Sequence, residues 1–284
     1  MRVQDALQKA VETLSGSVAA GDDPHLVVRL LMRDCLNTDS AGLIARSQDV
    51  LNAHEQVRFF EQVEQARTIP VFRVIGRRNF HGLDLSLNGA TLEPRDDTEV
   101  LVETVLARVK SRPGGLSAHW SFADLGTGTG AVALALLSEL PHARATLTDL
   151  SANALHMARA NAEQNGLAER CRFLQGSWFA PLEGAYDFIV SNPPYIASKT
   201  IDGLDGTVKD HDPRLALDGG ADGLDAYRVL ICEARRYLKP NGFLALEIGY
   251  DQAGPVKALA QAAGRTYEGA YQDLAGRDRA LVLR

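Results

Sequence analysis

The sequence predicts a doubly wound α/β domain that follows a small helical domain. Two observations lead to this prediction: helical periodicity in the first 70 residues, and a regular alternation of short strands with helices from residue 121 onwards. At 284 residues the chain exceeds the usual size of one domain, so a second, smaller domain is expected. A hydrophobic fraction of 45% is enough to build a buried core.

The N-terminal segment, residues 1–70, is predicted to be helical. Apolar residues such as Val27 and Leu31 recur there at helical spacing, and strand-like alternation of polar and apolar residues is absent. At Val71 the pattern changes to two short alternating runs around a polar stretch that contains glycine. We therefore predict a β-hairpin over residues 71–92 that links the two domains.

Residues 93–284 are the predicted α/β domain. It begins with a helix over 98–110, for which Asp96 and Glu99 are spaced as a capping pair. Strands and helices then alternate, which indicates a mainly parallel sheet with helices on both faces. The predicted strands are 121–125, 145–148, 172–174, 188–190 and 243–248, the helices are 131–140, 152–164 and 224–238, and an antiparallel edge hairpin joins 266–271 to 279–283.

Composition narrows the classes of function. A net charge of −6 has the wrong sign for a protein that lives on a phosphate backbone, so direct nucleic-acid binding is not expected. The seven histidines and three cysteines form no H-E-x-x-H or C-x-x-C motif, and we predict no metal. No apolar run approaches the roughly 18 residues of a membrane span, and the N-terminus does not resemble a signal peptide. A cytoplasmic protein without a membrane partner is expected.

A glycine-rich loop follows the first strand of the α/β domain, with the sequence Asp124-Leu125-Gly126-Thr127-Gly128-Thr129-Gly130. Glycines allow a tight turn and a close approach of the backbone to a ligand, and the N–H groups at the start of the next helix face that ligand. The loop therefore predicts a Rossmann-like nucleotide site. Its spacing fits both the dinucleotide fingerprint and the form common in methyltransferases, so the ligand stays open at this point.

Two further side chains are predicted to belong to this nucleotide site. Asp149 closes the second strand about 20 residues after the glycines, where a carboxylate can accept hydrogen bonds from ribose hydroxyls. Trp178 follows the third strand and could flank an adenine ring. Taken alone, such an aspartate is more often a helix cap and such a tryptophan more often a core residue, so the assignment depends on the neighbouring glycine loop.

The segment Asn192-Pro193-Pro194-Tyr195 lies at the carboxyl end of the fourth strand, the edge at which open α/β sheets bind ligands. Prolines have no N–H, so the backbone presents carbonyl acceptors without competing donors. The Asn192 side-chain oxygen and the Pro193 carbonyl could accept both hydrogens of a planar NH2 group, while Tyr195 offers a flat face to the substrate. This would steer a weakly nucleophilic amide or amine nitrogen toward a methyl group at roughly 3–3.5 Å. The segment favours a methyl donor, S-adenosyl-L-methionine, over a dinucleotide.

The sequence resembles the release factor glutamine methyltransferases, the HemK/PrmC family of protein-(glutamine-N5) methyltransferases. The matching segments are Glu93-Pro94-Arg95-Asp96-Asp97-Thr98-Glu99, the glycine loop, 191–196, 217–224, 247–249 with Gln252, and 273–279. The resemblance implies a class I methyltransferase domain that methylates the glutamine of the Gly-Gly-Gln motif in class I peptide chain release factors during translation termination. It also implies that the helical N-terminal domain recognises this protein substrate.

Residue roles also follow from the resemblance. Contacts with S-adenosyl-L-methionine are implied for Gly126, Thr127, Gly128, Thr129, Gly130, Asp149, Trp178 and Asn192. Contacts with the substrate glutamine are implied for Asn192, Pro193, Pro194 and Tyr195, of which Asn192, Pro193 and Tyr195 would be catalytic. One departure is visible: Asp96 stands where the family usually has proline, which leaves the local backbone and the substrate fit open.

Several alternatives remain at this point. A DNA adenine methyltransferase could use the same four-residue segment, but extruding a base requires basic surface, and Arg73, Arg77 and Arg78 form the one compact basic cluster near the domain junction. A glutamine methyltransferase of a ribosomal protein would share the catalytic segment. A nicotinamide-dependent oxidoreductase leaves that segment unexplained, and a nonenzymatic adaptor leaves both motifs unexplained. We expect a monomer.

Overall fold

The computed structural model describes residues 1–16 and 23–284, which form two compact units. The first unit contains the N-terminal residues up to Arg77 together with Leu204–His211, and the second contains Arg78–Gly203 and Asp212–Arg284. The hydrophobic pattern does not reveal that a segment as distant in sequence as 204–211 belongs with the first unit. In the part of the chain that the structure describes, no helix is both long and apolar enough to cross a membrane.

The first unit is helical, as predicted. Its helices are α1 (Val3–Leu14), α2 (Pro24–Cys35), α3 (Ser40–Ala45), α4 (Ala53–Gln65), α5 (Val71–Ile75) and, from the later segment, α10 (Gly206–Lys209). Asp23 caps α2 by accepting a hydrogen bond from the His25 N–H, and Asn52 and Glu55 form a capping box on α4. The buried faces of α1 to α5 share one core that includes Phe59.

The predicted strand that begins at Val71 was wrong over its first residues, because Val71–Ile75 form α5. This helix packs apolar side chains against the core of the first unit, and Gly76, with a φ of 78°, ends it. The strands begin only afterwards, at β1 (Arg77–Phe80) and β2 (Leu83–Ser86), which form a two-stranded sheet. Tertiary packing has therefore overridden the local alternation that suggested a longer strand.

The second unit contains a seven-stranded sheet in the order β5-β4-β3-β6-β7-β9-β8. Its strands are β3 (Ser121–Leu125), β4 (Arg144–Asp149), β5 (Cys171–Gln175), β6 (Tyr186–Ser191), β7 (Leu238–Glu247), β8 (Tyr267–Gln272) and β9 (Asp278–Leu283). The first five run parallel, and β9 pairs antiparallel with both β7 and β8. The predicted doubly wound fold and its antiparallel edge hairpin are confirmed.

Helices cover both faces of this sheet. They are α6 (Glu99–Lys110), α7 (Ala131–Glu139), α8 (Ala152–Gln164), α12 (Asp225–Glu233) and α13 (Ala253–Ala262), with the short helices α9 (Ser198–Ile201) and α11 (Arg214–Leu217) in the connections. Successive residues of β6 alternate between two cores: Phe188 and Val190 pack with α6 and α7, whereas Ile189 packs with α12 and α13. Since both faces are buried, the central strands are continuously apolar.

Two details of the helix predictions were wrong. The helix expected to reach residue 238 ends at Glu233, and a 3-10 turn leads directly into β7. Asp96 and Glu99 do not cap α6: the Asp96 carboxylate accepts from Arg78 at 2.6 Å, and the Glu99 carboxylate accepts from the His81 backbone N–H at 2.9 Å. These longer-range partners hold the hairpin against the start of α6, a competition that local spacing cannot reveal.

The strand order reverses direction at β3, which lies between β4 and β6. Such a reversal leaves a crevice beyond the carboxyl ends of the strands, where α/β proteins bind ligands. Ser191, the last residue of β6, donates its hydroxyl to the Leu125 carbonyl at 2.6 Å and so joins the ends of β6 and β3. The buried Asn161 of α8 donates to the Thr129 carbonyl at 2.9 Å and bonds both backbone groups of Ser86, which fixes the glycine loop against β2.

Candidate active site

A cavity of about 360 Å³ opens at this crevice, and residues of both predicted motifs line it. The predicted residues on its wall are Gly126, Thr127, Gly128, Thr129, Asp149, Trp178, Asn192 and Pro194. Gly130, Pro193 and Tyr195 were also predicted to be site residues and are not on the wall. The glycine loop and the Asn192–Tyr195 segment, more than 60 residues apart in the sequence, therefore border one space.

The glycine loop adopts backbone conformations that would be strained in a residue with a Cβ atom. Gly126, Gly128 and Gly130 have φ values of 72°, 56° and 85°, in the left-handed region. A Cβ on Gly130 would approach the Leu134 side chain at 3.2 Å, whereas one on Gly128 would meet no atom within 4 Å. Gly128 thus borders open space, and its lack of a side chain leaves that space to a ligand. The backbone conformation favours glycine at all three positions. Packing against Leu134 is a second reason for glycine at position 130, and access for a ligand is a second reason at position 128.

Asp149, the last residue of β4, forms a side-chain hydrogen bond with the glycine loop. One carboxylate oxygen accepts from the Gly128 N–H at 2.9 Å and the other from the Ser151 N–H at 2.8 Å. Burial raises the pKa of Asp149, and the backbone N–H groups oppose that rise. Each carboxylate oxygen has further acceptor capacity, so the side chain can still take a hydroxyl donor from the cavity.

Asp124 is an acidic residue on the cavity wall to which the sequence analysis gave no role. Its carboxylate accepts from the Thr127 hydroxyl at 2.7 Å, and it is almost completely buried at the end of β3. Burial raises its pKa to about 7, helped by the nearby Asp149 carboxylate and opposed by the hydrogen bonds from Thr127 and the Ala133 backbone. The sequence signal that could have identified Asp124 as a site residue was its position at the start of the glycine motif.

Trp178 is half-buried, with its ring beside the glycine loop. A Cβ on Gly126 would lie 3.5 Å from the ring, and the Trp178 carbonyl accepts from the Thr148 hydroxyl at 3.3 Å. The residue has a φ of 48°, which is unusual for a bulky side chain, and it packs against the core cluster under α12 and α13. One face of the indole is therefore packed while the residue borders the cavity, as a flanking ring requires.

Asn192 is held by a contact from outside its own segment. Its Nδ2 donates to the Thr98 hydroxyl oxygen at 3.3 Å, and Thr98 is a buried residue of the 3-10 turn that precedes α6. Because the amide nitrogen faces Thr98, the amide oxygen of Asn192 is free to face a ligand. Thr98 also lines the cavity. It was not predicted to be a site residue, although it lies in the segment 93–99 that resembles the family.

Tyr195 is turned toward the core of the second unit. Its hydroxyl donates to the Glu247 carboxylate at 3.4 Å, its carbonyl accepts from Gln252 at 3.0 Å, and its ring packs beside α12. Burial, followed by the nearby Glu247 carboxylate, raises its pKa well above the usual value. The hydroxyl therefore stays protonated. Its role as a flat face for the substrate remains a prediction.

Two short walls flank Asn192 and consist mostly of aliphatic residues and prolines. Leu92 and Pro94 come from one segment of the lining, and Pro213, Leu215 and Ala216 come from another. Asp212 joins them: its side chain is buried, and it accepts from Arg95 at 2.8 Å and from the Glu93 N–H at 3.2 Å. Residues 212–216 lie just before the segment 217–224 and were not predicted to be site residues.

The backbone at Asp96 is compatible with the proline that the resemblance led us to expect. Arg95 has a φ of −108° and a ψ of 146°, within the extended range that a residue before proline adopts, and Asp96 begins the 3-10 turn. The aspartate adds a 2.6 Å ion pair with Arg78, which also pairs with the buried Glu93. Within residues 1–16 and 23–284, no three His, Cys, Asp or Glu side chains are grouped to hold a metal ion.

Comparisons with known proteins show which family and fold this chain resembles. Residues 96–205 match the family model described as Methyltransferase small domain, and residues 5–76 match the PrmC N-terminal domain. A release factor glutamine methyltransferase of Agrobacterium fabrum is 42% identical over 92% of this chain and 91% of its own. One of Moorella thermoacetica is 42% identical over 99% and 98%. A methyltransferase structure from Pyrococcus furiosus has a TM-score of 0.51 at 18% identity, covering 82% of this chain and 98% of its own, which shows a shared fold.

Proposed function

The chain belongs to the release factor glutamine methyltransferases, and we propose that it methylates the side-chain amide nitrogen of the glutamine in the Gly-Gly-Gln motif of class I peptide chain release factors. The methyl donor is S-adenosyl-L-methionine. The observation that carries this proposal is the single cavity bordered by both the glycine loop and Asn192. A methyl donor bound at the glycine loop and a methyl acceptor bound at Asn192 would therefore lie next to each other.

The residues at the glycine-loop end fit the donor. The loop leaves space at Gly128, and the Asp149 carboxylate can accept hydrogen bonds from ribose hydroxyls. Trp178 can flank the adenine ring from beside the loop. The donor supplies a methyl group already activated by its sulfonium, so the protein needs no nucleophile of its own and contributes mainly by positioning.

At the other end, Asn192 prepares the acceptor. The nitrogen of a glutamine amide is a weak nucleophile because its lone pair is delocalised into the carbonyl. When the Asn192 oxygen and the Pro193 carbonyl accept its two hydrogens, the nitrogen is aimed at the methyl carbon, and the positive charge that grows on it is stabilised. A nitrogen–carbon bond forms, the carbon–sulfur bond breaks to leave a thioether, and the nitrogen releases one proton to solvent.

The aliphatic walls beside Asn192 favour glutamine over adenine. Leu92, Pro94 and Leu215 offer contacts to an unbranched alkyl stem, whereas an extruded base is stacked between aromatic or apolar side chains, so an aromatic partner would favour a base. Among the described lining residues Trp178 is the one aromatic ring, and it lies beside the glycine loop. The basic cluster expected of a DNA-binding surface is also neutralised in part, since Arg77 pairs with Asp34 and Arg78 with Glu93. These features support a protein substrate.

A comparison of acceptors tests the proposed activity. We expect the protein to transfer labelled methyl from S-adenosyl-L-methionine to a class I release factor and not to a variant whose Gly-Gly-Gln glutamine is replaced by alanine. Unmethylated DNA and ribosomal proteins of the large subunit serve as competing acceptors, and calorimetry with NAD tests the donor. Label on DNA or on a ribosomal protein alone, or binding of NAD in place of S-adenosyl-L-methionine, would contradict the proposal.

We further propose that the N-terminal helical unit recognises the release factor, in the cytoplasm where translation takes place. This unit exposes large apolar side chains, with Ile44 at 76% and Val50 at 70% of full exposure. Contiguous exposed apolar patches mark protein interaction sites, and we propose that these two side chains belong to one. The double substitution Ile44→Asp with Val50→Asp should raise KM for the release factor at least about fivefold and leave the Kd of S-adenosyl-L-methionine unchanged. An unchanged KM would argue against this surface.

A further inference from the structure

Glu247 is a buried carboxyl group beneath the acceptor segment that the proposed reaction does not use. It is the last residue of β7, follows a run of apolar residues, and is 3% exposed. The Tyr195 hydroxyl donates to its Oε1 at 3.4 Å, and the Thr98 hydroxyl is near enough to the same carboxyl group to lower its pKa. Burying an ionisable group is costly unless the group is paired and hydrogen-bonded, so its presence here calls for a functional explanation.

The hydrogen-bond donors and acceptors around Glu247 determine how the Thr98 hydroxyl and the Asn192 amide are oriented. An ionised carboxylate can only accept hydrogen bonds, so the Thr98 hydroxyl must direct its single hydrogen toward Glu247. The lone pairs of Thr98 then face Asn192, whose Nδ2 donates to the Thr98 oxygen at 3.3 Å. As a result the nitrogen side of the Asn192 amide is held against Thr98, and the oxygen side is left for the substrate.

We propose that Glu247 is a positioning residue that acts through Thr98 to orient the Asn192 amide, so that its oxygen and not its nitrogen faces the acceptor NH2 group. The inference deepens the proposed function and depends on it. A reversed Asn192 amide would set its N–H donors against the N–H donors of the substrate, and the substrate nitrogen would lose one of its two acceptors. Within the described residues, Glu247 Oε2 is buried without a hydrogen-bond partner, and the Thr98 hydroxyl is the group that most lowers the pKa of this carboxyl group.

The charges around Glu247 make this direction depend on pH. Burial raises the pKa of Glu247 to about 7, and the Asp97 carboxylate adds to the rise, while Thr98, Arg279 and Tyr195 oppose it. Tyr227 also faces this region and donates its hydroxyl to the Glu247 backbone carbonyl at 3.0 Å. Once protonated, the carboxyl group can itself donate to Thr98, and Thr98 is then free to donate to Asn192. Protonation therefore removes the orientation that catalysis needs.

Substitutions at Thr98 test the connection between Glu247 and Asn192. Thr98→Val preserves the shape and deletes the hydroxyl, so kcat should fall about tenfold or more while KM for the release factor stays within about threefold. Thr98→Ser restores a hydroxyl and should recover most of the activity. Thr104→Val, a buried threonine of α6 outside the cavity wall, is the matched control and should keep wild-type kcat. Wild-type kcat in Thr98→Val would overturn the proposal.

A pH profile tests Glu247 itself. In the wild type, kcat should fall as the pH drops through about 7, whereas Glu247→Gln should be slower at high pH and should have a weaker acidic limb, to which Asp124 on the cavity wall still contributes. An unaltered acidic limb in Glu247→Gln would overturn the proposal. If the wild-type enzyme methylated DNA instead of the release factor, the proposed function would fail. The same variants on that NH2 acceptor would still test the orienting role.

At pH 8, the thermal stability of Glu247→Gln should change in the opposite direction to its kcat. The folded protein holds the Glu247 proton more tightly than the unfolded chain, so the contribution of this group to stability is present below about pH 4.5 and is lost as the pH rises through about 7. Glu247→Gln should therefore raise the Tm at pH 8 more than at pH 5, although kcat falls at pH 8. A purely structural role predicts the reverse, a lower Tm at pH 8.

Discussion

Asn192→Ala is expected to lower kcat for release-factor methylation by about 10²–10³-fold, the effect typical of removing one preorganised polar group from a catalytic site. The truncation deletes the oxygen proposed to accept a hydrogen from the glutamine amide. Asn192 also lines the cavity near the donor, so the Kd of S-adenosyl-L-methionine should rise by less than about fivefold. Single-turnover measurements of methyl transfer, with calorimetry for the donor, separate the two effects.

A matched control and an isosteric variant make this result specific. Asn165→Ala removes another half-buried amide, at the end of α8 and outside the cavity wall, and kcat should stay near the wild-type value. Asn192→Asp keeps an acceptor for the substrate but loses the hydrogen bond donated to Thr98, so an intermediate kcat is expected. If Asn192→Ala retained kcat within about threefold of the wild type, the proposed role of Asn192 would be refuted.

Gly128→Val is expected to weaken binding of S-adenosyl-L-methionine more than about 100-fold, which corresponds to about 3 kcal/mol. Gly128 has a φ of 56° and a Cβ position with no atom within 4 Å, in a loop that lines the cavity. A valine side chain would project into the space of the donor and strain the backbone that carries the Gly128 N–H to Asp149. Equilibrium binding of the donor measures the effect directly.

Gly166→Val separates occlusion from backbone strain. Gly166 follows α8 with a φ of 69°, and a Cβ there would also meet no atom within 4 Å, but the residue does not line the cavity. Both variants should lose stability because a β-branched side chain is strained in the left-handed region. The donor Kd of Gly166→Val should nevertheless stay within about twofold of the wild type. Equal losses of donor affinity in the two variants would mean that the glycine loop has no special role in binding.

The two main variants separate the halves of the cavity. Gly128→Val should prevent formation of the donor complex, whereas Asn192→Ala should form that complex and fail to transfer the methyl group. The distinction follows from the order of the elements: the glycine loop extends from β3, and Asn192 extends from the neighbouring β6. Each half is carried by its own strand, so each can be altered without removing the other.

The sequence by itself determined the architecture of the second unit and the edge of its sheet at which the candidate site lies. Strand β3 and helix α8 have the predicted bounds, because continuous apolar runs and helical periodicity are local properties of the chain. In a parallel sheet the carboxyl ends of the strands share one edge, so the glycine loop and Asn192 lie on that edge, and the strand order makes β3 and β6 neighbours there. Their chemistry could therefore be predicted from residue types and spacing.

Only the tertiary structure decided how the acceptor end is arranged. Thr98, Glu247 and Asp212 are distant from Asn192 in the sequence, and they act through hydrogen bonds and a salt bridge that no local pattern encodes. The same holds for α5, where packing replaced a predicted strand, and for Tyr195, whose hydroxyl is directed toward Glu247. Periodicity specifies which residues are buried, whereas the partner of each buried polar group depends on which segments the completed fold brings together.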